Sequence, residues 1–185
     1  MVIQVFYYVK TSPLGPPIFV WLGRGAMPTI RRAPKPTNLE KDTSMEKLTL
    51  AQADAIIEGT FAKGGEMEFR PLTVAVLDDG GLMVAFKKQD NSSVLRFAIA
   101  QGKAYGAIGM GTNSRNLAGV AQERPHFINA LIGASDGKVV PVPGGILIKN
   151  ADGDIMGSIG VSGDTSDNDE IAGNAGIEGA GLTPG

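Results

Sequence analysis

Lys138 to Glu170 reads KVVPVPGGILIKNADGDIMGSIGVSGDTSDNDE. It contains two strands, the turn between them and the start of a helix. Gly144-Gly145 leads into the apolar run Ile146, Leu147, Ile148, the composition of a strand. Asn150 to Asp154 is a turn, in which Gly153 is free to take positive φ and the Asx side chains can bond the backbone. Ile155 to Val161 alternates or runs apolar, as a half-buried or buried strand does. Gly160, Gly163 and the cluster Asp164 to Glu170 then bring backbone N–H groups and carboxylates to the sheet edge, where a last helix begins.

Working outward, Thr49 caps a helix to about Lys63, with Leu50, Ala53, Ile56, Ile57 and Phe61 on one face and Gly64-Gly65 ending it. Pro71–Leu77 and Leu82–Lys88 are strands joined through the turn Asp78-Asp79-Gly80-Gly81, hence antiparallel. A second helix is expected from about Ser92 to Ile108, with Leu95, Ile99, Ala100, Lys103 and Ala104 at helical spacing. A third is expected over Val120–Leu131 with Pro125 near its first turns, then a short strand at Val139-Val140. The last helix spans about Asp167 to Ala180, and its Gly173, Gly176 and Gly179 suit a close approach to a sheet. Short connections between strands make the sheet mostly antiparallel with segregated helices. Neither a dinucleotide-binding glycine pattern nor a P-loop lysine is present.

The 185 residues are 43% hydrophobic, enough for one domain with a sizeable core and an appendage. Residues 1–44 carry six Lys/Arg against two acids, which leaves the remainder near −6 of the total −2. An acidic body argues against nucleic acid as the partner, because phosphate neutralisation needs a basic face. No cysteine is present, so there is no disulfide framework, Fe–S cluster or thiolate zinc site, which fits a cytoplasmic protein. Ile18–Leu22, IFVWL, is too short to span a bilayer, and Pro13, Pro16 and Pro17 break a signal-peptide core. Residues 1–44 hold six of the eleven prolines and read as a poorly ordered extension, with 45–185 as the folded domain; Met27 and Met45 are alternative starts.

Three pieces together carry a family resemblance: LTLAQADAII (48–57), VAVLDDGGLMVAFKKQD (74–90) and PVPGGILIKNADGDIMGSIGVSGDTSDNDE (141–170). Residues 46 to 180 resemble the GlcG/HbpS family and are similar to the C-terminal domain of PduO-type proteins. The resemblance implies a profilin-like α/β/α sandwich, an antiparallel five-stranded sheet flanked by helices. It also implies assembly into dimers or larger rings, and in some members binding of haem or related tetrapyrroles.

Within that expectation His126, the sole histidine, is the candidate axial ligand, with Phe127 stacking beside a macrocycle. The competing reading is a surface or interface histidine near a helix start. One haem-binding branch of the family uses a histidine on the first helix, which this chain lacks. Tyr105 or a methionine is an alternative ligand, although Met83, Met110 and Met156 suit core gaps. Arg96, Arg115 and Arg124 are candidates for gripping carboxylates, haem propionates included; of these, Arg115 and Arg124 join the site. The loop Pro143, Gly144, Gly145 lets a backbone approach a ligand closely. Asp169 and Glu170 are candidate acid/base or cation-binding groups, and Asp164 and Asp167 lie beside them. The alternative for these acids is capping of a helix start. Lys103 sits among apolar neighbours and suits an ion pair with an acid such as Glu170. No metal site is assigned, and the turn Asn150-Asp152-Asp154 lacks the glycine at the sixth position and the glutamate at the twelfth of a calcium loop.

The leading functional reading is a small-molecule-binding protein for haem or a related tetrapyrrole, acting as a homo-oligomer without nucleic-acid or membrane partners. The alternative is a lyase, an isomerase or an accessory protein acting on a small carboxylate. There Arg115 or Arg124 would bind the substrate, and Asp169, Glu170 or His126 would move the proton.

Overall fold

A computed structural model describes residues 46–185. The reading of residues 1–44 as an extension lies outside the described residues. Helix α1 (Leu50–Glu66) begins at a capping box: Thr49 Oγ1 accepts from Gln52 N–H, and Thr49 N–H donates to Gln52 Oε1 at 2.9 Å. Strands β1 (Thr73–Asp78) and β2 (Met83–Lys88) form the expected hairpin. Asp78 Oδ1 accepts from Gly80 and Leu82 N–H in its turn, and Gly81 has φ +77°. Helix α2 (Arg96–Met110) follows, ended by Gly111 at φ +62°.

The third helix differs from expectation. It is two helices, α3 (Ser114–Glu123) and α4 (Pro125–Ala134), because Pro125 occupies the first turn of a new helix, where its missing N–H costs nothing. The expected strand at Val139-Val140 is also absent. That segment lies on α2, with Val140 N–H bonded to Gly102 C=O and its side chain filling the space that Gly102 leaves open. Strands β3 (Gly145–Lys149) and β4 (Ile155–Ser162) fall where the sequence indicates, followed by α5 (Ser166–Gly179) and the two-residue β5 (Thr183–Pro184).

The sheet is five-stranded and antiparallel in the order β2-β1-β4-β3-β5. The fifth strand is thus β5 rather than Val139-Val140. Helices α1 and α5 cover one face, where Ile56, Ile57, Val74, Val76, Ile146, Ile148, Ile159, Val161 and Ile177 form the core. Their burial is the main drive for the fold, at roughly 1.5–3 kcal/mol for each fully buried large aliphatic side chain. Helix α2 covers the other face, and there the sheet presents small residues. A Cβ at Gly160 would lie 1.8 Å from Ala100 C=O, and one at Gly145 would lie 2.2 Å from Lys103 C=O. The alternation in β4 therefore separates an aliphatic face from a glycine–serine face that lets a helix backbone come close. Ser158 Oγ donates to Ala104 C=O at 2.9 Å and holds it there. In α5, Gly173 adjoins Ile146 and Val161 of the sheet, whereas Gly176 adjoins Thr60 and Ile56 of α1. The glycine spacing therefore serves a helix–helix contact as well as a helix–sheet one.

Candidate ligand-binding site

Where β3 begins and β4 ends, the first turns of α3 and α5 meet. Asn113 and Ser114 start α3 after the loop from Gly111. Their side chains serve the sheet edge: Ser114 Oγ accepts from Gly145 N–H at 2.7 Å, and Asn113 Oδ1 accepts from Leu147 N–H at 2.9 Å. Gly185 N–H bonds to Leu147 C=O, so β5 and α3 together close the β3 edge. Helix α5 is capped by Thr165, whose hydroxyl accepts from Asn168 N–H. Asp164 accepts from the N–H groups of Arg70 and Thr165 and from the Asn168 amide, and those donors hold its carboxyl below the usual range.

Beneath this end lies a buried ion pair. Lys103 is 1% exposed, and its Nζ donates to Asp169 Oδ2 at 2.8 Å and to Val161 C=O at 2.9 Å. Asp169, also 1% exposed, uses its other oxygen to accept from Asp164 N–H. The lysine thus joins α2 on one face of the sheet to α5 on the other. Burial pulls the Lys103 ammonium down and pushes the Asp169 carboxyl up, and the attraction between the two opposes both shifts. The pair fixes Gly144, which has φ +106° and whose Cβ would lie 3.0 Å from Lys103 Nζ, Asp169 Cβ and Val161 C=O. The partner of Lys103 is Asp169 rather than Glu170.

Arg115 occupies the rim of the same region. Its guanidinium donates to Glu170 and Asp167, clamping the start of α3 to the start of α5. Both acids bond a cation of the chain itself. Among the described residues no cluster of three or more histidine or acidic side chains is arranged to hold a metal ion.

The remaining candidates stand at the junction of α3 and α4. Pro125 starts α4, and Arg124 precedes it with its guanidinium 4.8 Å from the centre of the Phe127 ring. Arg124 and His126 are exposed, and Phe127 is partly buried. His126 has no hydrogen bond or ion pair with a described residue. The structure therefore brings Arg115, Gly144, Gly145, Asp169 and Glu170 together at the sheet end, and Arg124, His126 and Phe127 together at the α3–α4 junction. Pro143 is partly buried next to two fully buried glycines, and the close approach those glycines allow is to α2 and α5. The Tyr105 ring lies 5.6 Å from Lys138 Nζ, Met156 is in the core, and Met83 and Met110 are exposed. Asn113 and Ser114 carry a local signal, since Asn-Ser before a helical stretch marks a helix start.

No described helix is long and apolar enough to cross a membrane. The fold is shared with several solved structures. The crystal structure of a PduOC–haem complex matches with a TM-score of 0.67 at 21% identity, covering 74% of this chain and 97% of that one. Klebsiella pneumoniae ORFY, of family DUF336, matches with a TM-score of 0.68 at 20% identity, over 78% of this chain and 98% of that one. A double mutant of Streptomyces reticuli HbpS matches with a TM-score of 0.63 at 22% identity, over 83% of this chain and 97% of that one. At these identities the likeness establishes the fold. No curated protein matches the chain in sequence. The family model for the haem degrading protein HbpS-like group matches residues 48–178, most of the described domain, and the chain therefore belongs to the HbpS-like family.

Proposed function

We propose that this chain is a small-molecule-binding protein whose ligand is haem or a related tetrapyrrole, and that it acts as a homo-oligomer. The observation that carries the reading is the start of α4. An exposed imidazole without a partner among the described residues, an aromatic ring and a guanidinium stacked on that ring occur within four residues. His126 would offer a nitrogen to iron, Phe127 a flat apolar contact and Arg124 a charge-assisted bond to a propionate. Membership in a family described as haem-degrading, and a fold shared with a protein solved as a haem complex, support the same ligand class.

In this reading the Pro143–Gly145 loop is framework, held by the Lys103–Asp169 pair beneath it. Arg115 and Glu170 are framework, since a propionate at Arg115 would compete with two carboxylates already bonded there. The cysteine-free chain suits a reducing compartment, and the cytoplasm is the one we assign. The test is a titration of the purified protein with hemin. Wild type should give a saturating shift of the Soret band, and His126→Ala should lose it while keeping its fold. Binding by wild type with an unchanged spectrum in His126→Ala would dismiss the histidine. A wild type that binds no hemin would favour action on a small carboxylate.

A further inference from the structure

The two edges of the sheet are treated differently. The β3 edge is closed by β5, Asn113 and Ser114. At the other edge β2 pairs with β1 on its inner side, and no described residue bonds its outer N–H and C=O groups. Exposed large apolar side chains concentrate along this open edge. Leu82 and Met83 lie at one end of β2, Phe86 meets Phe97 edge-on with ring centres 4.9 Å apart, and Val94 and Leu95 lie in the connection to α2. Val94 is 89% exposed and Leu82 and Leu95 are each 70% exposed. These six side chains expose on the order of 600 Å², at the top of the range for the largest apolar patch on a monomer. That approaches the roughly 800 Å² per partner of a stable interface.

We propose that this edge is a self-association surface, where β2 pairs antiparallel with β2 of a second copy of the chain about a two-fold axis. The inference rests on the self-association part of the functional reading and names its surface. An added extended peptide would satisfy the backbone of β2 but would leave Val94 and Leu95 uncovered. A second copy brings the same patch to both, because a two-fold interface is made of one surface used twice. The charges agree. Lys87 is already paired with Asp54 and Glu58 of α1, which leaves Lys88 as the one uncompensated cation of β2 among the described residues. The register shift opposite Val76-Leu77 leaves Val84 as an extra residue and Ala85–Lys88 as the regular edge. With the axis at Phe86, each Lys88 lies across from Val84 of the second copy, and the two lysines stay apart.

Sedimentation velocity of the full chain at micromolar concentration tests this, using Val94→Lys and Leu95→Lys. Both positions are so exposed that the monomer should keep its far-UV circular dichroism. Ile171→Lys, 44% exposed on α5, is the control. Each patch variant should weaken self-association at least tenfold and sediment as a smaller species, while the control sediments as wild type. An assembled wild type whose patch variants remain assembled would overturn the surface and leave self-association standing. A wild type that is monomeric at tens of micromolar would overturn both. The hemin titration reads ligand binding separately.

Discussion

Replacing Lys103 by Met removes the cation from a buried pair while keeping most of the side-chain volume. Asp169 would keep the Asp164 N–H and lose its charge partner in a site that is 1% exposed. Breaking a buried pair from one side costs about 3–5 kcal/mol, because a buried charge is left uncompensated. The carboxyl can escape part of that cost by taking up a proton, and burial already pushes it up even with Lys103 present. In the variant the folded carboxyl therefore titrates above the unfolded one. Between those two pKa values the folded state holds more protons than the unfolded state, so stability falls as pH rises, by up to about 1.4 kcal/mol per unit. Lys103→Met should lose about 3–5 kcal/mol at pH 8 and clearly less at pH 5. Asp169→Leu added to it should restore much of the loss, since an apolar pair needs no compensation. Urea unfolding followed by far-UV circular dichroism at both pH values measures this. A single variant that loses under about 1 kcal/mol, equally at both, would refute the account of the pair as the pin between α2 and α5.

Gly160→Ala should destabilise by about 3 kcal/mol or more, since its Cβ meets the α2 backbone, whereas Gly133→Ala, with nothing within 4 Å, should be neutral or slightly stabilising; thermal melts compare them. Asp164 titrates lower in the fold than in the unfolded chain, so it stabilises above its ordinary value of 3.8 and that contribution disappears as pH falls through the lower, folded value. Asp164→Asn should accordingly lose stability at pH 6 and show a flatter acid limb, which melts between pH 2 and 6 would record. Arg124→Ala should weaken hemin binding by about 1.5–3 kcal/mol, the worth of one charge-assisted contact, measured as a shift in the Soret titration midpoint.

Much of the fold was legible because its signals are local. The cap at Thr49, the Asp-Asp-Gly-Gly turn and the alternation of Ile155–Val161 each name an element from neighbouring residues alone. The misreadings are tertiary. Val139-Val140 has strand composition, but the glycines of α2 offer it a closer surface than the sheet does. Pro125 falls inside an apolar run, and whether such a proline kinks a helix or starts a new one depends on how the chain enters it. A two-residue strand such as β5 carries no periodicity to find. At the site, the acids after Gly163 stood out as a cluster, but their division of labour did not. Asp164 caps backbone groups, Asp169 neutralises a lysine from the opposite face of the sheet, and Asp167 with Glu170 holds Arg115. Spacing along one chain cannot pair Lys103 with Asp169, because the two meet only once the sheet lies between their helices.

Hemin titration of the wild-type protein with a Soret readout reads the proposed tetrapyrrole binding without intermediary. The account predicts a saturable shift that ends near one equivalent per chain. A featureless rise with added hemin up to tens of micromolar, the same as in buffer alone, would contradict it.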